Sequence, residues 1–289
     1  MAWVINVNLF LKILIMYFIN RLKFKVKNNF WFQYLFYKFF FSLRRKYYEI
    51  DFSILERLKI NTYVDIGTNK GEYVNFLKKK AKKIYCFEPI KESYELLIKL
   101  FNSNKFLIKN IALGNKSKSL KINTPLYRNN RNEIVAFAYN QSSLIKKFKD
   151  SITQNVKVKR GDDLLLKEKK IDFIKIDVEG FELEVLKGLK QTIIKNFPIL
   201  LIEIEHRHSN NFINTFKFLS DFNYKVYYVS KIGILKKIDF QDIKVFLKKN
   251  QKIKDLQEES RIDDFRFFYK RKKYICNFWF IRKDRYLNQ

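Results

Sequence analysis

The chain has 289 residues, 47% of them hydrophobic, with only Gly 7 and Pro 3; this allows one α/β domain with a substantial core and excludes a disordered or low-complexity protein. The formal net charge is +30, but the lysines are spread along the chain rather than gathered in one arm, so the excess reads as solvated surface and biased composition, and nucleic acid is disfavoured as a partner. Cys86 and Cys276 have neither C-x-x-C nor histidine spacing, which excludes a structural zinc site and a secreted disulfide framework and favours a cytoplasmic location.

Residues 2–19 are apolar but interrupted by Asn6, Asn8 and Lys12. A lysine at the centre of a membrane span costs roughly 2.5–3.5 kcal/mol, so the run falls short of a clean transmembrane helix. It is not a signal peptide either, because the basic cluster Arg21, Lys23, Lys25 and Lys27 follows the apolar run instead of preceding it. From Phe30 to Tyr48 aromatics mix with lysine and arginine, a composition suited equally to a lipid headgroup interface and to packing on a folded domain. Residues 1–50 are therefore read as an apolar and basic helical extension. An anionic membrane surface at the inner face is its candidate partner through residues 1–48, and residues 51–289 form the main domain.

The stretch Thr62–Tyr73 organises that domain. A β-branched and aromatic run ends in Asp65, Gly67 and Gly71 stand four residues apart, and Tyr73, Phe76 and Leu77 begin a helical pattern. Glycine at such a turn permits positive φ and lets a ligand approach the backbone. The dinucleotide fingerprint G-x-G-x-x-G has a middle glycine where this chain has Asn69, which favours a cofactor other than a dinucleotide. The next strand, Lys83–Phe87, ends in Glu88, the place where a doubly wound fold holds the two ribose hydroxyls.

A helix is expected over Ile90–Phe101 and a third strand over Phe106–Ile108. Residues 115–160 read as an inserted hairpin region with strands at Ser119–Asn123, Glu133–Tyr139 and Gln154–Arg160. Asp162 and Asp163 sit where a carboxylate caps the helix they begin. A strand over Ile171–Asp177 ends in Val178-Glu179-Gly180. Another, Ile199–Ile202, ends in Glu203-Ile204-Glu205 and is followed by His206 and His208, the only histidines in the protein. Beyond these the pattern predicts a helix over Asn210–Phe222, a strand over Tyr224–Val229 with a hairpin partner at Gly233–Ile238, a charged helix over 240–258, and a final strand over Tyr274–Ile281. In a wound sheet Asp65, Asp177, Glu179, Glu203, Glu205 and His206 would share the carboxyl rim.

Three ordered motifs resemble the signature of the FkbM-type S-adenosylmethionine-dependent methyltransferases: Val64-Asp65-Ile66-Gly67-Thr68-Asn69-Lys70-Gly71, Phe87-Glu88-Pro89, and Lys175-Ile176-Asp177-Val178-Glu179-Gly180-Phe181-Glu182. The resemblance covers roughly residues 62 to 206. It implies a class I, Rossmann-like methyltransferase fold: a doubly wound α/β sheet, mostly parallel with an antiparallel last strand. It also implies S-adenosylmethionine as cofactor and an oxygen acceptor on a small molecule or glycan. Asp65, Gly67, Asn69, Gly71 and Glu88 are the corresponding cofactor-binding positions, joined by Ile111 and Ala112, where this fold contacts adenine. Gln141-Ser142-Ser143-Leu144 is similar to the family's paired-serine element. Methyl transfer to oxygen requires an acceptor in line with a sulfonium and a group that removes its proton. Glu179 and His206 are the candidate general bases, with Asp177 positioning cofactor or acceptor. A divalent ion between Asp177 and Glu203 has hard oxygen ligands, but no spacing rule requires one, and no metal is expected. The alternatives are an RNA methyltransferase, which the charge favours and the absence of a base-methylation motif disfavours, and a membrane-surface protein that binds without turnover.

Overall fold

A computed structural model describes residues 50–127, 151–208, 211–252 and 274–286, with short pieces at 34–35, 130–131 and 137–138. The extension expected over 1–50, apart from residues 34, 35 and 50, lies outside the described residues, as do Gln141–Leu144, most of the strand expected at Glu133–Tyr139 and the end of the helix expected over 240–258.

A short helix α1 (Phe52–Leu55) leads into β1 (Thr62–Ile66), α2 (Glu72–Leu77), β2 (Lys83–Phe87), α3 (Lys91–Leu100) and β3 (Phe106–Lys109). Then come β4 (Ala112–Gly114), β5 (Lys118–Tyr127), β6 (Asn130–Arg131), β7 (Phe137–Ala138) and β8 (Ser151–Arg160). The second half runs α4 (Gly161–Leu165), β9 (Phe173–Ile176), α5 (Glu182–Gly188), α6 (Lys190–Asn196), β10 (Ile199–Glu203), α7 (Phe212–Ser220), β11 (Lys225–Val229), β12 (Leu235–Ile238), α8 (Ile243–Asn250), β13 (Asn277–Ile281) and α9 (Lys283–Tyr286).

Among the described residues the main sheet has eight strands in the order β12-β11-β13-β10-β9-β1-β2-β3. Strands β10, β9, β1, β2 and β3 are mutually parallel, while β13 runs antiparallel between β10 and β11. This is the class I methyltransferase arrangement. Both faces of the central strands are covered, which is why they read as near-continuous apolar runs. Val64 and Ile66 enter one core cluster with Ile174 and Ile176, whereas Tyr63 enters the other with Phe173 and Trp279. The period of two thus sends Asp65 and Lys175 to the same face, and they are register partners.

In the region 115–160, β5 and β8 pair antiparallel from Lys118↔Val158 to Pro125↔Ser151, and β4 adds alongside β8 in parallel. Three local expectations change. The last strand begins at Asn277 rather than Tyr274, since Tyr274–Cys276 wraps the β10 end through Ile204 N donating to Cys276 O at 2.8 Å. The helix expected over 240–258 is a 3-10 turn, Phe240–Asp242, followed by α8. Asp162 does not cap its own helix. Its carboxylate accepts the Thr192 amide (2.9 Å), the Thr192 hydroxyl (2.8 Å) and the Gln191 amide (3.2 Å), so it closes the start of α6 instead.

The N-terminal edge is fastened to β13. Asp51 accepts from Asn277 Nδ2 at 2.8 Å and from the indole N–H of Trp279.

Candidate active site

The β1–α2 turn is shaped by three left-handed residues, Gly67 (φ 78°), Asn69 (φ 49°) and Gly71 (φ 81°). Asparagine tolerates that region better than other side chains, which explains its place between the glycines. A Cβ on Gly67 would lie 1.8 Å from the carbonyl oxygen of Asp177, so this glycine lets the β1 turn touch the end of β9. The turn also meets the end of β2: Gly67 N donates to Phe87 O at 2.9 Å, and Asn69 N donates to Glu88 Oε2 at 2.7 Å. Glu88 Oε1 accepts from Ile90 N at 2.8 Å, and Asn110 Nδ2 donates to the carbonyls of Glu88 and Pro89, each at 2.9 Å. These bonds hold Gly67, Asn69 and Glu88 together where β1 and β2 end, next to Asp65 on β1, and Ile111 and Ala112 follow Asn110 in the chain. Gly71 starts α2 and packs on Phe101 and Leu97.

Two buried acceptors, Asp65 Oδ1 and Asn69 Oδ1, have no hydrogen-bond partner among the described residues. A buried acceptor left unmatched costs about 1–3 kcal/mol, and a ligand bringing amine or hydroxyl donors would satisfy both. The other oxygen of Asp65 accepts from Tyr63 Oη at 2.6 Å. Burial raises the Asp65 carboxyl to about 6, partly opposed by the Lys175 ammonium.

On the far side of β1 lies a denser set of charges. Lys175 is buried and its Nζ donates to Asp177 Oδ2 at 2.8 Å. Burial alone would lower its pKa, but Asp177 and Asp65 outweigh that and hold it raised. Glu179 adopts φ 53° and is followed by Gly180 at φ 98°, two left-handed residues in succession that close β9 before α5. Gly180 N donates to Glu182 Oε1 at 2.7 Å, and burial raises the Glu182 carboxyl to about 7.

The two histidines part company. His208 Nδ1 lies 3.0 Å from Glu179 Oε2. His206 instead faces Gln251, whose amide donates to the carbonyls of Ile204 (2.7 Å) and Ile275 (2.8 Å). That orientation fixes the Gln251 oxygen as acceptor for both His206 N and His206 Nδ1, each at 2.9 Å, so Nδ1 carries a ring proton. The sequence places His206 on the rim with the carboxylates as a candidate general base, and the turn after β10 brings His208 against Glu179. Nothing in the local pattern separates the two. Glu205 is gripped by both Nε and Nη2 of Arg207 and by the Tyr274 hydroxyl, contacts from residues that sequence reasoning did not select.

Burial raises the Glu179 carboxyl well above the carboxylate range, helped by Asp177, Glu203 and Glu205 and opposed by Arg207. Burial pushes His208 down to about 4. The close His208–Glu179 contact is thus a hydrogen bond sharing one proton near neutrality rather than an ion pair. Glu179, Glu205 and His208 bring polar atoms within 4.8 Å of one another, a proximity that does not by itself make a cation site. With Arg207 and Tyr274 already holding Glu205, a cation there would compete with a resident guanidinium.

The Methyltransferase FkbM domain family matches residues 65–251, more than half of the chain. The Methyltransferase sdnD of Sordaria araneosa is 28% identical over 155 residues, 44% of this chain and 60% of that protein. Methyltransferase 1 of Beauveria bassiana (strain ARSEF 2860) is 27% identical over 142 residues, 44% of this chain and 57% of its own length. The chain therefore matches somewhat over half the length of these relatives. Among solved structures, Methyltransferase FkbM from Methylobacillus flagellatus KT aligns with a TM-score of 0.46 and 15% identity, over 81% of this chain and 48% of that one.

Proposed function

Because the chain belongs to the FkbM methyltransferase family, we propose that it moves a methyl group from S-adenosylmethionine to a hydroxyl of a small molecule or glycan. The observation that carries the reading is the glycine turn clasped to Glu88 through Asn69 N, with the unmatched acceptors Asp65 Oδ1 and Asn69 Oδ1 in the same turn. Asp65, Asn69 and Glu88 would hold the donor's amine and ribose hydroxyls; Gly67 and Gly71 give its approach; Ile111 and Ala112 flank its base. When bound, that donor supplies an activated methyl on a cationic sulfur. The chain's part would be to hold the acceptor hydroxyl in line with that methyl and to take up the hydroxyl proton on a base.

Glu179 suits that base. Its carboxyl, raised by burial among acids, ionises more readily once a cationic donor lies close by. His206 Nε2 is the second candidate, and Asp177, fixed by Lys175, positions the reactants. The test is incubation of the full chain with S-adenosylmethionine and fractionated hydroxylated metabolites and glycans, followed by mass spectrometry. A new methyl ether together with S-adenosylhomocysteine is expected. A methyl group on RNA, or no cofactor binding that depends on Asp65 and Glu88, overturns the reading.

One observation favours an anionic lipid surface as a further partner. The β11–β12 turn exposes Ile232 (75%) and Ile234 (51%) beside Lys231 at the carboxyl rim, and Ser53 Oγ meets Gly233 O at 3.5 Å, close to where residues 1–49 enter the domain. Among the described residues no helix is long and apolar enough to cross a membrane. Flotation with phosphatidylserine vesicles should weaken in Ile232→Ser/Ile234→Ser, and equal flotation of that variant and the parent rejects the surface.

A further inference from the structure

Glu179 stands out as a non-glycine residue held in the left-handed region just past the end of β9, among charged and titratable groups. Asp177 follows the end of β9, Glu203 ends β10, and Glu205, His206, Arg207 and His208 come from the loop after β10, which Tyr274 closes from the segment leading into β13. An outlier backbone conformation of this kind persists only where neighbours hold it, and it points to a function for the side chain it displays. Among these neighbours His208 makes the close side-chain contact: Nδ1 sits 3.0 Å from Glu179 Oε2, and the ring is almost wholly buried.

The ring is itself placed by a rigid wall. His208 N donates to Glu205 O at 3.1 Å, and the Glu205 side chain is fixed by Arg207 and Tyr274.

We infer that His208 is a positioning residue for methyl transfer: its Nδ1–H holds one oxygen of Glu179 and leaves the other oxygen aimed at the acceptor hydroxyl. The inference rests on the reading of Glu179 as the base. His208 does not take the proton. The acceptor proton ends on the second oxygen of Glu179, while the Nδ1–H bond steadies the carboxylate before transfer and keeps the carboxyl in place after it. Burial keeps the imidazole neutral at working pH, in keeping with a fixed donor rather than a titrating one.

The experiment follows the Glu179 carboxyl directly, by infrared difference spectra of the full chain against Glu179→Gln across pH, so it needs no acceptor. Loss of the Nδ1–H bond in His208→Ala should raise the pH at which the protonated carboxyl band disappears by about one unit, a roughly tenfold change in proton affinity. His208→Asn, whose amide nitrogen reaches the place of Nδ1, should restore most of that shift. His208→Gln, closer in volume but with its amide at the place of Nε2, should not. S-adenosylhomocysteine affinity by calorimetry should stay within about twofold of the parent in all three. An unchanged band in His208→Ala, or rescue by Gln as good as by Asn, overturns the inference, as does a band that moves on adding magnesium or zinc only when His208 is present. Full methyl transfer by Glu179→Gln instead removes the base assignment while leaving the band shift standing, so the two failures are distinguishable.

Discussion

The two halves of the carboxyl rim are both built from acids at strand ends, but they hold those acids differently. Beside β1 and β2, Glu88 is fixed by backbone amides of its own neighbourhood, Asn69 N and Ile90 N. Beside β9 and β10, Asp177, Glu179 and Glu205 are fixed by side chains: Lys175, His208, Arg207 and Tyr274. Backbone donors make a cradle whose geometry follows from the turn, while side-chain partners create a field that tunes proton affinity. The backbone-held acid and the side-chain-held acids thus lie on opposite sides of β1.

The largest expected effect comes from breaking the seam between the halves. Gly67→Ala places a methyl against the Asp177 carbonyl in a left-handed residue and should cost more than about 3 kcal/mol in denaturant unfolding, or leave no folded protein. A loss below about 1 kcal/mol would mean that the halves are not packed through that turn.

Next is Glu88→Ala, which strands two amides. It should lower stability by about 2–3 kcal/mol and weaken S-adenosylhomocysteine binding at least about tenfold by calorimetry, whereas Glu88→Gln keeps one acceptor and should lose less. Equal affinity in the alanine variant would break the assignment of the backbone-held half to binding.

The smallest effect sharpens the side-chain half. Glu182 rises from 4.5 to about 7 on folding, so its carboxyl favours the fold fully below pH 4.5 and that contribution is lost as pH rises through about 7. Glu182→Gln should therefore stabilise the protein by about 1–2 kcal/mol at pH 8 and leave it unchanged at pH 4, as read from paired urea curves.

What could be read from the sequence follows the same division. The turn Gly67–Gly71, the acid Glu88 and the parallel strands are local spacing: period two, glycine placement, and one acid about 20 residues on. The β9–β10 half was legible as a concentration of acids and two histidines, but not as pairs. Choosing His208 over His206 depends on Gln251, 45 residues further along, claiming His206 through a doubly anchored amide. Lys175 stood in view inside a quoted motif, yet its role becomes visible only once the register sets it opposite Asp65. Asp162 misled for a similar reason, since nothing local says that a carboxylate at one helix start will serve another 30 residues away.

The slot taken by β13 has a consequence for synthesis. A ribosome releases β10, β11 and β12 well before β13, yet β13 lies between β10 and β11. Without β13, β10 and β11 would each present an unpaired edge to the slot it fills. With β13 in place both edges are paired, and the Trp279 indole N–H to Asp51 ties that same strand to the residues just before α1.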